Sequence, residues 1–162
     1  MIGWEVPKQA RVLGLMSGTS CDGLDLALMR FSAGDCWHLE AYEEAPSSAE
    51  FRARLLAADR LDTAGLSTLN ADLARVFSRR VRAFLEEHSA PDLLVSHGQT
   101  VHHDPPTEQG EGSTLQLGDG GMIAALTGLP TLWNLRPGDL ALGGQGAPLV
   151  PVPDQLLFGG DQ

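Results

Sequence analysis

Small, hydroxyl-bearing and acidic residues are concentrated between positions 16 and 25. Gly18 and Gly23 permit tight turns and a close approach of the backbone to a ligand. The amides and hydroxyls of this segment can donate hydrogen bonds to phosphate oxygens, and Asp22 or Asp25 can hold Mg²⁺ directly or through water. On chemistry alone an ordinary hairpin tip explains the segment equally well, because it follows neither the Walker A nor the Rossmann GxGxxG pattern. The hydroxyl donors are Ser17, Thr19 and Ser20.

Histidines between positions 97 and 104 raise two further possibilities. With Asp104 they form a candidate metal site, but zinc sites show clearer ligand spacing, and a polar loop with His97 facing a ligand or hydrogen-bonded fits better. Cys21, His97 and an aspartate could also form a cysteine-hydrolase triad. Spacing along the chain does not show that these three side chains meet. The histidines are His97, His102 and His103.

Two apolar runs of strand length flank the first cluster. The runs 11–16 and 24–31 predict a β-hairpin with a long tip rich in Gly, Ser and Thr. Residues 37–42 predict a third strand, reached through a turn at 32–35.

The apolar period then changes to that of a helix. Ser47 and Glu50 have capping-box spacing at the start of a short helix. A second helix is predicted from about Ser67 to His88. The arginines beside its apolar stripe are interpreted as a solvated face rather than a binding patch. The stripe comprises Leu66, Leu69, Leu73, Val76, Phe77, Phe84 and Leu85, and the arginines are Arg75, Arg79, Arg80 and Arg82.

Shorter elements follow. Strands are predicted at 93–95, 114–117 and 131–133, a short helix at 122–126, and loops after 143. Three adjacent antiparallel strands followed by helix-linked strands favour an α/β fold with a mixed sheet flanked by helices. This order fits a ribonuclease-H-like sheet, the unit duplicated in actin-like proteins, although periodicity alone does not select it from other α/β sheets.

Length and charge limit the classes of function. The chain has 162 residues, which suits one domain. Its net charge of -10 disfavours nonspecific binding to nucleic acid, which depends on Lys and Arg. Two cysteines, Cys21 and Cys36, are expected to be reduced thiols. No apolar run approaches the roughly 18 residues of a membrane span, so no membrane association and a cytoplasmic location are expected.

Four motifs, taken together, resemble an enzyme family. Residues 14–25, 96–101, 114–118 and 143–151 are similar, in the same order, to signatures of the anhydro-N-acetylmuramic acid kinases. The resemblance implies an enzyme that adds water to the 1,6-anhydro bond of anhydro-N-acetylmuramic acid and phosphorylates O6 with ATP. The product would be N-acetylmuramic acid 6-phosphate, an intermediate in recycling bacterial cell wall.

The resemblance also implies an architecture. Residues 1–162 would form the first of two actin-like domains, with ATP, Mg²⁺ and the amino sugar bound in the cleft between them. The C-terminal domain would lie outside this chain. It would carry the general base, which is expected beyond Gln162 in a Gly-Phe-Asp-type motif. Asp154 and Asp161 lie in what is interpreted as a loop-like tail and do not replace that base. A homodimer of the protein is a further expectation.

Site residues follow from the same resemblance. Asp22 is the expected Mg²⁺ ligand. Trp133 is interpreted as a buried aromatic side chain on a strand and not as a surface on which a sugar stacks. The phosphate loop (residues 14–25) would bind ATP through Gly18, Thr19, Ser20, Cys21, Asp22, Gly23, Leu24 and Asp25. The sugar-facing segments, 96–101 and 134–151, would contribute His97, Arg136, Asp139, Gln145 and Gly146.

The sequence departs from the family pattern in three places. An arginine run is usual where this chain has 135–139, Asn134 stands where Asp is common, and the turn at Gly120 often carries another residue. The altered 134–139 segment leaves open a related actin-like kinase for another amino sugar. The general base expected beyond Gln162 leaves open a non-catalytic fragment or split half that binds phosphate or sugar only.

Overall fold

A computed structural model describes residues 9–32, 36–108 and 110–159. Residues 33–35 of the turn expected at 32–35, and also Asp161, lie outside these described residues. The strands are β1 (Gln9–Met16), β2 (Gly23–Ser32), β3 (Cys36–Pro46), β4 (Leu93–Ser96), β5 (Gln99–Asp104), β6 (Ser113–Leu117) and β7 (Thr131–Trp133). The helices are α1 (Ala49–Leu56), α2 (Thr63–Glu87), α3 (Gly120–Thr127), α4 (Leu135–Ala141) and α5 (Pro151–Phe158), with a short 3₁₀ helix at Ala58–Arg60.

Five of the strands form one mixed sheet in the order β3-β2-β1-β4-β7. β2 runs antiparallel to both β1 and β3, whereas β1, β4 and β7 are parallel to one another. β5 and β6 form a separate antiparallel pair. The α/β fold with a mixed sheet is therefore confirmed.

The hydrophobic core lies between one face of the large sheet and α2. Leucines alternate along β1 and β2, so that every second side chain points into this core. Residues at helical spacing on α2 complete it, as the predicted apolar stripe required. The buried members from these elements are Leu13, Leu15, Leu24, Leu26, Leu28, Leu69, Leu73, Ala74, Phe77, Val81 and Phe84.

The helix starts differ from the sequence-based predictions. The N-cap of α1 is Ser48, whose hydroxyl accepts the Phe51 amide, and not Ser47. Ser47 is unavailable because its own amide continues the strand ladder by donating to the Asp22 carbonyl oxygen. α2 begins four residues early because Asp62 accepts the Gly65 amide and caps it there.

Three elements were not predicted. β5 lies in the segment interpreted as a polar loop, α4 lies between the predicted strand at 131–133 and residue 143, where no element was predicted, and α5 lies in the region expected to be loop-rich. Asp154 is therefore in the first turn of a helix, and the loop-like assignment of its position was wrong. A proline at the first helical position suits the start of α5, since its missing amide has no intrahelical partner there. Among the described residues, no helix is long and apolar enough to cross a membrane.

Trp133 ends β7 and packs against the start of α3. Its side chain is 43% exposed, so the prediction of a buried aromatic was wrong. Gly120, the first residue of α3, is buried, and a Cβ atom there would overlap the indole ring. The departure noted at position 120 therefore has a local cause: the glycine leaves room for the tryptophan.

Replacing Gly120 by alanine is expected to destabilise the fold by about 1–3 kcal/mol, because the Trp133 ring must move. An ordinary Gly→Ala change within a helix stabilises the protein by about 1 kcal/mol. A decrease in the free energy of unfolding therefore distinguishes the overlap with Trp133 from the ordinary effect. Urea denaturation of Gly120→Ala, Trp133→Ala and the double variant measures the coupling. Gly138→Ala is the control, since a Cβ there meets no atom within 4 Å. Additive effects in the double variant would contradict the prediction.

Candidate functional site

The ends of three parallel strands bring the predicted site segments to one edge of the sheet. The phosphate loop follows β1, His97 follows β4, and Asn134 follows β7. The ladder between β1 and β4 continues into the site, since the His97 amide donates to the Leu15 carbonyl oxygen over 3.0 Å. In open α/β sheets, ligands bind beyond the carboxyl ends of parallel strands. Three segments that are distant along the chain thus share one edge.

The phosphate loop makes a tight turn at its tip. The Cys21 amide donates to the Gly18 carbonyl oxygen over 3.1 Å, and Cys21 itself has a positive φ of 53°. Thr19 and Ser20 are exposed at the tip. Their amides have no hydrogen-bond acceptor among the described residues. The tip therefore presents unpaired N–H groups to solvent, as an anion-binding turn must.

Asp22 lies beside this tip with its carboxylate exposed. The Ser20 hydroxyl donates to it over 2.7 Å. This bond, backbone amides and the nearby Arg52 guanidinium lower the pKa of Asp22 below its usual value. Arg52 on α1 is fixed by donating from Nε to the Ser20 carbonyl oxygen over 2.9 Å. The loop thus carries one ionised carboxylate with a cation close to it.

Below the tip, the loop is tied to β5. Ser17 and Gln99 are both buried, and the Ser17 hydroxyl lies 2.7 Å from Gln99 Oε1 and 3.0 Å from the Gly23 carbonyl oxygen. Gln99 Nε2 donates to the Gly18 carbonyl oxygen over 3.1 Å. Ser17 was a candidate hydroxyl donor to phosphate, but its buried hydroxyl faces these two oxygens instead. Gln99 is not among the predicted binding residues. Its place in the second motif, two residues after His97, is the sequence signal that could have found it.

His97 and Arg136 meet at the same edge. His97 Nδ1 lies 2.9 Å from the Gly98 carbonyl oxygen, and Arg136 Nε and Nη2 lie 3.1 and 3.0 Å from His97 Nε2. Because a carbonyl only accepts and a guanidinium only donates, the imidazole is neutral with its proton on Nδ1. Burial lowers the pKa of His97, and the charge of Arg136 lowers it further, while the bond to Gly98 opposes both.

Asp139 holds the glycine-rich segment that follows α4. Its Oδ2 accepts the Gly146 amide over 2.7 Å, and its carbonyl oxygen accepts the Gly144 amide over 2.8 Å. Gly146 is buried, and a Cβ there would approach the His103 ring to 3.3 Å. Gln145 is exposed, and its side chain has no hydrogen-bond partner among the described residues. Asp139 therefore shapes the Gly146 turn, whereas the exposed Gln145 side chain takes no part in these hydrogen bonds.

Asp25 ends the phosphate loop and lies near His97 and Arg136. It lies on the face of β2 opposite the core, where the Tyr42 hydroxyl lies 3.1 Å from its Oδ1 and 3.0 Å from Glu44 Oε1. Desolvation and these two carboxylates raise the pKa of Tyr42 to about 12. Asp25, His97 and Arg136 also line one mainly apolar cavity of about 340 Å³ on that face of the sheet. The phosphate loop and the predicted sugar-facing segments therefore line the same cavity.

Other predicted residues are placed differently. Cys21 and Leu24 are buried in the core, so only their backbone groups are available to a ligand. Burial raises the pKa of the Cys21 thiol, which argues against a thiolate nucleophile in a triad. His102 contacts Ser113 rather than His97. No group of three or more His, Cys, Asp or Glu residues able to hold a metal occurs in the described part of the chain.

The pKa of His97 gives a direct test of this geometry. Replacing Arg136 by methionine removes the neighbouring charge, so the imidazole is expected to titrate at higher pH than in the wild type. In both proteins the native state loses stability as the pH falls below about 6.5, because protonation then favours the unfolded chain. NMR titration of the imidazole carbons measures the midpoint, with Arg82→Met on the exposed side of α2 as the control. An unchanged midpoint in Arg136→Met contradicts the contact.

One protein family and several known proteins are similar to this chain. A protein-family model described as Anhydro-N-acetylmuramic acid kinase matches residues 10–162. A protein named anhydro-N-acetylmuramic acid kinase from Synechococcus elongatus is 45% identical over 157 residues, covering 93% of this chain and 42% of its own length. Proteins of the same name from Trichormus variabilis and Albidiferax ferrireducens are 41% and 43% identical over 92% and 91% of this chain, and over 41% and 39% of their own lengths.

The chain thus spans about two fifths of the length of these curated relatives. The matched region includes the phosphate loop, the His97–Arg136 contact and the Gly146 turn. Nearly the whole chain is covered, at 40% identity or more. The chain belongs to the anhydro-N-acetylmuramic acid kinase family.

Proposed function

We propose that the full-length protein is an ATP-dependent kinase that opens the 1,6-anhydro bond of anhydro-N-acetylmuramic acid and phosphorylates O6. The observation that carries the proposal is the family match over residues 10–162, in a chain whose phosphate loop and sugar-facing contacts lie at one edge of the sheet. The products would be ADP and N-acetylmuramic acid 6-phosphate.

The sheet order supports a finer assignment of the fold. Three antiparallel strands continued by two parallel ones, in the order β3-β2-β1-β4-β7, are what an actin-like or ribonuclease-H-like domain requires. The chain would then form the N-terminal domain. A second domain in the remainder of the protein would close the cleft over the edge that carries Thr19 and His97.

The tip of the phosphate loop would bind the phosphates of ATP. Unpaired amides at Thr19 and Ser20 stabilise negative charge without moving, and such preorganised donors are the largest source of catalysis in phosphoryl transfer. Arg52 adds positive charge near the tip. These groups would stabilise the charge on the transferred phosphoryl group as sugar O6 attacks it.

Asp22 fits a magnesium ion that is held mainly by ATP. Mg²⁺ binds proteins through one or two carboxylates and keeps several waters and substrate oxygens as its other ligands. Asp22 supplies one exposed carboxylate whose lowered pKa keeps it ionised. Bound there with ATP, the ion would neutralise phosphate charge.

On the sugar side, the bonds are proposed to change as follows. The C1–O6 bond of the anhydro-sugar breaks and a water oxygen adds to C1. O6 forms a bond to the γ-phosphorus while the bond from that phosphorus to the β,γ-bridging oxygen breaks, and ADP leaves with that oxygen. Arg136 offers guanidinium hydrogens to an anionic or hydroxyl group of the sugar, and His97 holds that side chain in place through its Nε2. The base that takes the proton from water is expected in the second domain.

The reaction can be followed by the fate of oxygen. The full-length protein is incubated with anhydro-N-acetylmuramic acid, ATP and Mg²⁺ in H₂¹⁸O, and the product is analysed at once by mass spectrometry. A ring-opened 6-phosphate with ¹⁸O at C1 and none in the phosphate ester is expected. No phosphorylated product overturns the proposal. Turnover of another amino sugar in its place would assign a related kinase, and a full-length protein that binds without turnover would be a binding module.

A second test concerns the metal. Asp22→Asn is expected to raise the Mg²⁺ concentration for half-maximal activity by roughly 10–100-fold, because the ion loses a charged partner. Initial rates at saturating ATP over a Mg²⁺ series measure it. Asp59→Asn is the control, since that carboxylate is exposed and distant along the chain, with a single weak ion pair to Arg60. An unchanged Mg²⁺ requirement in Asp22→Asn contradicts the assignment.

A further inference from the structure

We propose that Gln99 is a positioning residue that aims the Thr19 amide at the nucleotide phosphates. The inference deepens the proposed function and rests on it. Gln99 begins β5, and its side chain is 1% exposed. It reaches the phosphate loop from 81 residues away along the chain.

The orientation of the Gln99 amide is fixed by its neighbours. Nε2 lies 3.1 Å from the Gly18 carbonyl oxygen and 3.4 Å from the Thr100 carbonyl oxygen, and both can only accept. Oε1 lies 2.7 Å from the Ser17 hydroxyl, which can donate. Rotating the amide by half a turn would set its oxygen against two carbonyl oxygens. One orientation of the side chain therefore satisfies all three contacts.

These contacts determine the direction of the Thr19 N–H group. The Gly18 carbonyl oxygen receives two hydrogen bonds, from Gln99 Nε2 and from the Cys21 amide, each 3.1 Å long. In a trans peptide the C=O of one residue and the N–H of the next point in opposite directions. Pulling the Gly18 oxygen inward therefore turns the Thr19 N–H outward. That N–H has no acceptor among the described residues, and Thr19 is exposed.

Two features keep this arrangement rigid. Ser17, two residues before Thr19, is anchored by the same glutamine. Gly98, just before Gln99, has a φ of 69°, and a Cβ there would lie 2.6 Å from the Leu117 carbonyl oxygen. Only glycine permits this turn between β4 and β5, which sends His97 toward Arg136 and Gln99 toward the loop. Without the glutamine, the Gly18–Thr19 peptide would keep a single anchor and could rotate.

The test uses the full-length protein and measures two dissociation constants by calorimetry. Gln99→Leu is expected to raise the Kd for Mg-ATP about tenfold, the effect of losing roughly one or two hydrogen bonds. The Kd for the anhydro-sugar is expected to change by less than about twofold, since the His97–Arg136 contact is separate. The matched control is Gln116→Leu. Gln116 lies on the neighbouring strand β6 and contacts Thr100 and Thr114, not the loop.

Gln99→Glu provides a second readout that a purely structural role would not move. As a carboxylate, the new side chain repels the Gly18 carbonyl oxygen, whereas its protonated form can donate to that oxygen as Nε2 does. Mg-ATP affinity relative to the wild type is therefore expected to recover as the pH is lowered. This variant decides the matter if Gln99→Leu does not fold.

The inference is overturned if Gln99→Leu binds Mg-ATP as tightly as Gln116→Leu, or if it weakens both ligands equally. A Gln99→Glu protein whose relative affinity is independent of pH overturns it as well. Failure of the proposed function looks different. In that case the wild type forms no phosphorylated sugar, whatever the variants at position 99 do to nucleotide binding.

Discussion

Parallel pairing of β1 with β4, and of β4 with β7, is the constraint on which the candidate site depends. Because the three strands point the same way, the segments that follow them must emerge at one edge. The leucine stripe that buries β1 and β2 against α2 fixes the register of this sheet, since a slip by one residue would move the leucines to the opposite face. Core packing thereby sets the distance between the phosphate loop and His97.

Much of the fold could be predicted because local pattern and tertiary packing agree there. The hairpin of β1 and β2 and the long helix α2 carry strong periodicity, and the structure confirms them. β5 was missed because Gln99–Asp104 has no alternation of apolar and polar residues. α4 was missed because Pro137 and Gly138 are poor helix formers. Its residues are held instead by long-range contacts, such as that of Arg136 with His97.

The sequence names residue types for the candidate site, but it does not give their orientation. Motifs in the sequence pointed to the phosphate loop, His97 and Arg136, and the structure brings the latter two into contact. Which way the Gly18–Thr19 peptide faces depends on Gln99, a partner 81 residues away. The protonation state of His97 depends likewise on Gly98 and Arg136 together. No local pattern encodes either relation, because each arises only when the sheet is assembled.

The fit between Gly120 and Trp133 links two positions that lie on different elements. A side chain at 120 is costly while the aromatic ring remains at 133, and a large ring at 133 is costly once 120 carries a Cβ. Mutations at the two sites should therefore show epistasis, and their order along an evolutionary lineage is constrained. Divergence at this edge of the sheet would proceed by paired changes rather than by independent drift.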